Sequence, residues 1–355
     1  MRLSLWPNSD VKAAALDSET FISSVRAVIP SDPRGLRRPP LNFDVPNHTP
    51  YRTALDRTLK PARIKRLTER LEQHAGALLS SLLQRQQGDI CTEFAAQFAA
   101  WVETEWLNLT PDTAPRLAAT ASAWVNAWRQ MDAEKTTYFS TQLYDIARAL
   151  LADRREHPQD PEQDPASSLL LERNSNGEPL EEIHLVGCIR QSLVVGVVAP
   201  PLMLGGICNQ LSKDQELQQR LREDPSLIPA AIEEFVRLFS PYRGFTRTAS
   251  KEIVLHGQTI KPGVPIALTY SAANRDPAVF DNPHQFVLNR PNIAMHLGFG
   301  RGRHRCVGQP LATMALQIAL RSLLKNTKRF EVNGELQFAR MPEMGIISCP
   351  LGFEV

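Results

Sequence analysis

Cysteine is scarce and scattered in this chain. Cys91, Cys188, Cys208, Cys306 and Cys349 stand far apart, are odd in number and include no C-x-x-C pair, which argues against a disulfide framework and a structural zinc site. An excess of one charge is also missing: 40 basic against 38 acidic residues leave +2 on 355 residues. A nucleic-acid footprint across the whole surface is therefore not expected. No run approaches the roughly 20 apolar residues that span a bilayer, and residues 1–9 hold one arginine and a tryptophan but no apolar stretch of the signal-peptide kind. There is no internal repeat and no low-complexity tract. What remains, 43% apolar and 22% charged residues, is ordinary globular composition, long enough for one large core or two domains. The expectation is a soluble, cytoplasmic protein without membrane insertion.

The 27 prolines gather at joints, most densely in residues 30–50 and 157–179, which read as loops. Between those stretches, Phe94, Phe98, Trp101 and Val102, then Trp124 and Trp128, recur at helical spacing, so residues 90–153 read as successive amphipathic helices. Residues 181–211 are apolar nearly throughout, the pattern of a helix surrounded by other elements. Pro200 and Pro201 lie inside that stretch. Each removes a donor, so the carbonyls of Gly196 and Val197 lose their helical partners and a bend is expected. Residues 227–239 carry Ile228, Ile232, Phe235, Val236 and Phe239 on one stripe. Residues 252–268 alternate around Gly257 and Pro262-Gly263 and predict a pair of short strands. Pro310 signals a last helix, with Leu311, Met314, Ala315 and Ile318 on one face, and residues 330–355 return to strand-like pieces. The fold class is mainly α with a small β portion.

The stretch Phe299-Gly300-Arg301-Gly302-Arg303-His304-Arg305-Cys306-Val307-Gly308 precedes that last helix. Three glycines let the backbone turn tightly, and they place Cys306 just ahead of a helix N-terminus, where amide N–H groups and three arginines favour a thiolate. Such a cysteine can be a metal ligand, a nucleophile or a redox thiol. A buried inert cysteine would leave the glycines unexplained.

This loop resembles the haem-binding loop of the cytochrome P450 family, F-x-x-G-x-H/R-x-C-x-G, at every fixed position. His296-Leu297-Gly298 before it and Gln309-Pro310-Leu311-Ala312 after it agree. A second family signature, E-x-x-R, stands as Glu234 and Arg237, spaced to share a helix face. A third, Pro283-x-x-Phe286-x-x-x-Arg290-Pro291, supplies the arginine that completes a structural Glu-Arg-Arg cluster in the family. The resemblance implies a single P450-fold haem domain over 1–355. Residues 9–16 would correspond to the family's B helix, with the A helix and first strands absent or reduced.

The resemblance further implies haem b as cofactor, with Cys306 as its axial thiolate and metal ligand, Phe299 and Gly308 shaping the loop, and His304 at a propionate. His48 and Arg52, in His48-Thr49-Pro50-Tyr51-Arg52, match the family's H-x-x-x-R, and Arg247 sits where another propionate arginine is usual. The long helix corresponds to the family's I helix, whose A/G-G-x-D/E-T delivers protons to bound dioxygen. Here the stretch is Val195-Gly196-Val197-Val198-Ala199. At the catalytic positions Gly196, Val198 and Ala199 the acid and the alcohol are therefore replaced, and neither valine nor alanine can relay a proton.

The implied function is a monooxygenase acting on a small or medium apolar molecule. A peroxide-driven peroxygenase, a dioxygen-independent isomerase or dehydratase, and a non-catalytic haem sensor are the alternatives. Family contact positions place Gln191, Val194, Val195, Val198 and Ala199, Gly244, Phe245 and Thr246, and Ile346 and Ile347 in the substrate pocket, with Arg243 a candidate partner for a substrate carboxylate. Residues 24–44 and 111–128 would close that pocket. Arg301, Arg303 and Arg305, with Arg63, Lys65 and Arg66, would form a basic patch for an acidic ferredoxin or flavodoxin on the thiolate side. The protein is expected to act as a monomer.

Overall fold

The computed structural model describes residues 3–24 and 37–355; most of the expected closing loop at residues 24–44 lies outside them. Thirteen α-helices run through the described residues: α1 (Asn8–Leu16), α2 (His48–Thr58), α3 (Pro61–Ile64), α4 (Thr68–Gln84), α5 (Ala96–Trp106), α6 (Thr113–Arg129), α7 (Ala133–Glu156), α8 (Pro165–Leu171), α9 (Glu182–Lys213), α10 (Gln215–Glu223), α11 (Ile228–Phe239), α12 (Tyr270–Ala273) and α13 (Gln309–Lys325). Aspartates start several of them. The Asp132 side chain accepts from Lys135 N–H at α7, Asp164 from Ser167 N–H at α8 and Asp214 from Leu217 N–H at α10, each satisfying a donor that the first helical turn leaves unpaired.

The axis of the molecule is α9. Leu185, Ile189, Leu193, Val197, Leu204, Ile207 and Leu211 are all buried, and α5, α6, α7, α11 and α13 pack around them. Against the expectation that no run is long and apolar enough to cross a membrane, α9 is, alone among the described residues; most of its apolar surface is instead buried in this core. The helix runs unbroken through Pro200 and Pro201. Residues 90–153, read as successive amphipathic helices, form a π-helical turn (Ile90–Ala95) followed by α5, α6 and most of α7.

The β portion comprises β1 (Leu3–Leu5), β2 (Phe21–Ile22), β3 (Gln87–Asp89), β4 (Phe245–Ala249), β5 (Ile253–Leu255), β6 (Gln258–Ile260), β7 (Pro265–Leu268), β8 (Arg329–Val332), β9 (Gln337–Phe338), β10 (Ile346–Ser348) and β11 (Pro350–Glu354). The largest sheet has the order β1-β7-β4-β2, with β1 parallel to β7 and Leu3 opposite Ile266. The stretch 252–268 holds three strands rather than two: a β5–β6 hairpin turning at His256-Gly257, and β7, which pairs with β4 instead. Alternation alone cannot show that β7 leaves the hairpin for a distant partner. Two short strands, β1 and β2, flank α1 in the N-terminal region. A smaller apolar cluster of Leu5, Val11, Phe21, Ile266 and Leu268 lies under this sheet.

Candidate functional site

The cysteine loop is folded by its own backbone. Cys306 N–H donates to the Phe299 carbonyl at 2.8 Å, Gly300 N–H to Leu297 at 2.8 Å and Arg305 N–H to Gly302 at 3.1 Å. Gly302 has φ +71°, and a Cβ there would lie 2.1 Å from the Ala15 carbonyl of α1, so only glycine serves both the turn and the contact. Phe299 is half-buried against the main core, and Gly308 caps α13. Of the five cysteines only Cys306 is exposed.

Desolvation raises the Cys306 thiol above its ordinary pKa, although the Gly308 and Gln309 N–H groups and the Arg52 and Arg305 cations pull the other way. The exposed position of Cys306 on this loop suits a metal ligand, because a bound metal deprotonates a thiol outright. Among the described residues no three His, Cys, Asp or Glu side chains converge as a metal-ligand set. A metal at Cys306 must therefore bring its other ligands with it, as iron in a macrocycle does.

Beside the loop lie two histidines and two arginines. The His48 and His304 rings meet edge-on at 4.7 Å. Arg52, on α2, donates to the Arg303 carbonyl at 3.1 Å and to the Arg305 carbonyl, and pairs with Asp56 at 2.9 Å. Arg247, on β4, is buried and donates to its neighbour's carbonyl, Thr246, at 3.1 Å. Asp44 stands 3.6 Å from His304. Burial and the charges of His304, Arg52 and Arg303 push His48 down to about 4, and its buried Nε2 has no hydrogen-bond partner. Two arginines beside two imidazoles, one of them with an orphaned ring nitrogen, fit a ligand carrying carboxylates, which the arginines hold by charge-assisted hydrogen bonds. These four residues therefore fit the propionates of a haem.

Behind the loop, Glu234 and Arg237 on α11 and Arg290 form a buried cluster. Arg237 donates to the two Glu234 carboxylate oxygens at 2.8 and 2.7 Å, and Arg290 adds bonds at 3.1 and 3.2 Å. Burial opposes ionisation of Glu234, but the hydrogen bonds from both arginines outweigh it and hold the carboxyl below its ordinary range. Arg237 also donates to the Asn274 carbonyl at 2.8 Å, and Asn274 Oδ1 accepts from Leu297 N–H at 2.6 Å. The cluster thereby positions the entrance of the cysteine loop.

In the middle of α9 one stripe is not fully buried: Gln191, Ser192, Val195, Gly196, Ala199 and Pro200. These positions recur at helical spacing and share a face. Val194 and Val198 point into the core instead. Gly244 lies where a Cβ would meet the Leu268 carbonyl at 1.9 Å. Phe245 and Thr246 are exposed at the start of β4, and on β10 Ile346 is buried and Ile347 half-buried. Arg243 reaches the Met341 sulfur at 2.9 Å.

Two residues on no motif emerge from the packing. The Tyr242 hydroxyl is pushed well up, first by burial and then by Glu343. Glu103, on α5, is buried with its carboxyl against the Cα of Gly196, and a Cβ at Gly196 would lie 2.0 Å from Glu103 Oε1. Gly196→Ala must displace that carboxyl and is expected to cost about 1–3 kcal/mol, the range for overpacking, read as a lowered urea midpoint. No spacing rule links residues 103 and 196, so only the tertiary contact reveals them.

Comparison with known proteins follows the same lines. The family model described as Cytochrome P450 matches residues 80–350. Cytochrome P450-terp from a Pseudomonas species is 31% identical over 308 residues, covering 82% of this chain and 71% of the relative. Linalool 8-monooxygenase from Pseudomonas putida is 29% identical over 301 residues, covering 83% and 72%. Among solved structures, ligand-free cytochrome P450 TbtJ1 superposes with a TM-score of 0.88 at 25% identity, covering 99% of this chain and 91% of that one. CYP109B1 from Bacillus subtilis gives a TM-score of 0.86 at 24% identity, covering 98% and 92%, which shows the shared fold.

Proposed function

Because the chain belongs to the cytochrome P450 family, we infer that it is a haem-thiolate monooxygenase: R–H, dioxygen, two electrons and two protons give R–OH and water. The observation that carries this reading is Cys306, an exposed thiol on a loop otherwise locked by backbone hydrogen bonds, beside two arginines and two imidazoles suited to two carboxylates. Cys306 would hold the iron of haem b, and His48, Arg52, Arg247 and His304 its propionates. When bound, the haem supplies dioxygen binding and O–O cleavage, which electron density from the thiolate favours.

The chain's own part is to position and to exclude. The half-accessible stripe of α9 forms one wall, with Val195, Ala199 and Pro200 giving it an apolar surface suited to a hydrophobic substrate. Gln191 stands on the same stripe, and its buried Oε1 has no partner, so its amide is free to orient a substrate hydroxyl or carbonyl. The names of relatives, a linalool monooxygenase and a mycinamicin IV hydroxylase/epoxidase among them, favour dioxygen with an electron supply over peroxide, isomerisation or sensing. They differ in substrate, so the class proposed here is a small or medium apolar molecule. Electrons would come from a separate ferredoxin or flavodoxin. Arg303, Arg305 and Lys65 are exposed for such docking, whereas Arg63 is tied to Glu162 at 2.5 Å. A soluble, cytoplasmic, monomeric protein completes the reading.

The test is mass spectrometry of the haem-loaded protein incubated with linalool and with a metabolite extract. One arm contains reduced ferredoxin and isotopically labelled dioxygen, the other hydrogen peroxide alone. The expected result is one labelled oxygen atom in product in the first arm only. Product with peroxide and not with electrons would make the protein a peroxygenase, and no oxygenated product in either arm would overturn the reading.

A further inference from the structure

Dioxygen cleavage consumes two protons, and Val198 and Ala199 on α9 can supply neither. An ionisable group from another helix touches the accessible stripe. Glu103 is buried, its carboxyl rests on Gly196, and Ser192 Oγ donates to its Oε2 at 2.5 Å. Ser192 and Gly196 both belong to the accessible stripe, and Ser192 lies two turns before Ala199 on the same face. Pro200 and Pro201 leave the carbonyls of Gly196 and Val197 without helical donors, so the same segment offers acceptors for a water molecule.

A carboxyl buried with one hydroxyl and no cation is costly. The charged groups on the elements around α5 are directed elsewhere. Arg70 and His74 of α4 engage Glu105, and Glu93 of the π-helical turn engages Arg85. Arg190 of α9 lies against Trp124 and Tyr144; Arg116 of α6 is exposed, and Arg321 of α13 faces Glu72. None of them moves Glu103, whose carboxyl is pushed up to about 7 by burial and only partly drawn back by Ser192.

We propose that Glu103, acting through Ser192, is the proton donor for the accessible stripe of α9, in the role that an acid and an alcohol on α9 itself would otherwise fill. In each transfer the hydrogen bond first reverses, the protonated Glu103 carboxyl turning its O–H toward Ser192 Oγ and freeing the Ser192 hydroxyl for water; the Glu103 O–H bond then breaks and its proton passes to Ser192 Oγ. Ser192 releases its own hydroxyl proton to water on the accessible face of α9, and the Glu103 carboxylate is reprotonated by the reverse transfer once that water has exchanged with solvent. Only O–H bonds change and no electron moves. Gly196 is required because any side chain there would occupy the position of the carboxyl. The proposal rests on the monooxygenase reading, since proton delivery there serves dioxygen cleavage.

The experiment uses haem-loaded wild type, Glu103→Gln, Ser192→Ala and, as control, Glu105→Gln. Infrared difference spectra across a pH series read the protonated-carboxyl band directly. The wild type is expected to lose one such band as pH rises through neutrality, and Glu103→Gln to lack it. With reduced ferredoxin and dioxygen, the share of electrons released as hydrogen peroxide is measured in parallel. Glu103→Gln and Ser192→Ala are expected to raise that share and to slow oxygen insertion by about 100-fold, the lower range for losing a general acid, with the reduced carbon monoxide spectrum unchanged. Wild-type coupling should fall as pH rises through neutrality and the variants should lose that dependence. Absence of the titrating band overturns the proposal, as do variants that couple like wild type. A wild type that reduces no dioxygen overturns the monooxygenase reading, and that result is seen before any variant is compared.

Discussion

Cys306→Ala is expected to abolish the red-shifted Soret band of the reduced carbon monoxide complex and, with it, oxygen insertion. No other thiol can take its place. Cys91 and Cys188 are buried and directed at the carbonyls of Ile346 and Pro39, at 3.5 and 3.1 Å. Burial pushes Cys349 up to about 12 and Cys91, Cys188 and Cys208 well above the ordinary thiol. Because His48, Arg52, Arg247 and His304 are untouched, the variant should retain haem, bound more weakly, and an absorbance spectrum separates loss of the ligand from loss of the pigment. A band that survives the substitution would show that Cys306 is not the axial ligand.

Glu234→Gln is expected to destabilise the fold by on the order of 3–5 kcal/mol, the cost of breaking a buried ion pair by removing one partner. Glutamine keeps the shape but leaves the Arg237 and Arg290 guanidiniums buried without an anion, and it weakens the connection through Asn274 to Leu297 that positions the cysteine loop. Urea unfolding of the haem-free protein measures the loss. Glu233→Gln is the control: Glu233 is partly exposed and pairs with His296 at 2.9 Å, and its loss should cost less than about 1 kcal/mol. The pH dependence carries the same sign. Because the Glu234 carboxyl titrates lower in the folded state than in the unfolded chain, its contribution is present above the unfolded value and is lost as pH falls through the folded one. Wild type should therefore weaken in acid more steeply than Glu234→Gln. Equal stability of wild type and Glu234→Gln at neutral pH would refute the structural role.

The site divides by how local its signals are. Cys306, Gly302 and Gly308 are legible because a tight loop ahead of a helix leaves its glycines at fixed spacing in a single stretch. Glu234 and Arg237 are legible as an i,i+3 pair, but that pair gains its weight from Arg290, which is 53 residues beyond Arg237 and becomes its neighbour only through folding. The substrate wall is harder to read. Family contact positions name Gln191, Val194, Val195, Val198 and Ala199 together, whereas the helical turn places Val194 and Val198 in the core and Ser192 on the accessible face. Ser192 is not legible in the sequence, because a lone serine on an apolar helix carries no pattern.

The sequence by itself determined the helical class, the family and the glycine-rich cysteine loop, because helix periodicity, proline and glycine punctuation and a ten-residue loop are properties of short stretches. It also showed that α9 lacks an acid and an alcohol at the expected positions. Only the tertiary structure decided what stands there instead. Three-residue strands such as β1 gain their hydrogen bonds from β7, more than 260 residues away, and the environment of Glu103 is set by Gly196, 93 residues further along and on another helix. An ionisable side chain reads as an ordinary surface charge until packing removes its water, and that removal is a property of the helices closing over it rather than of its neighbours in the chain.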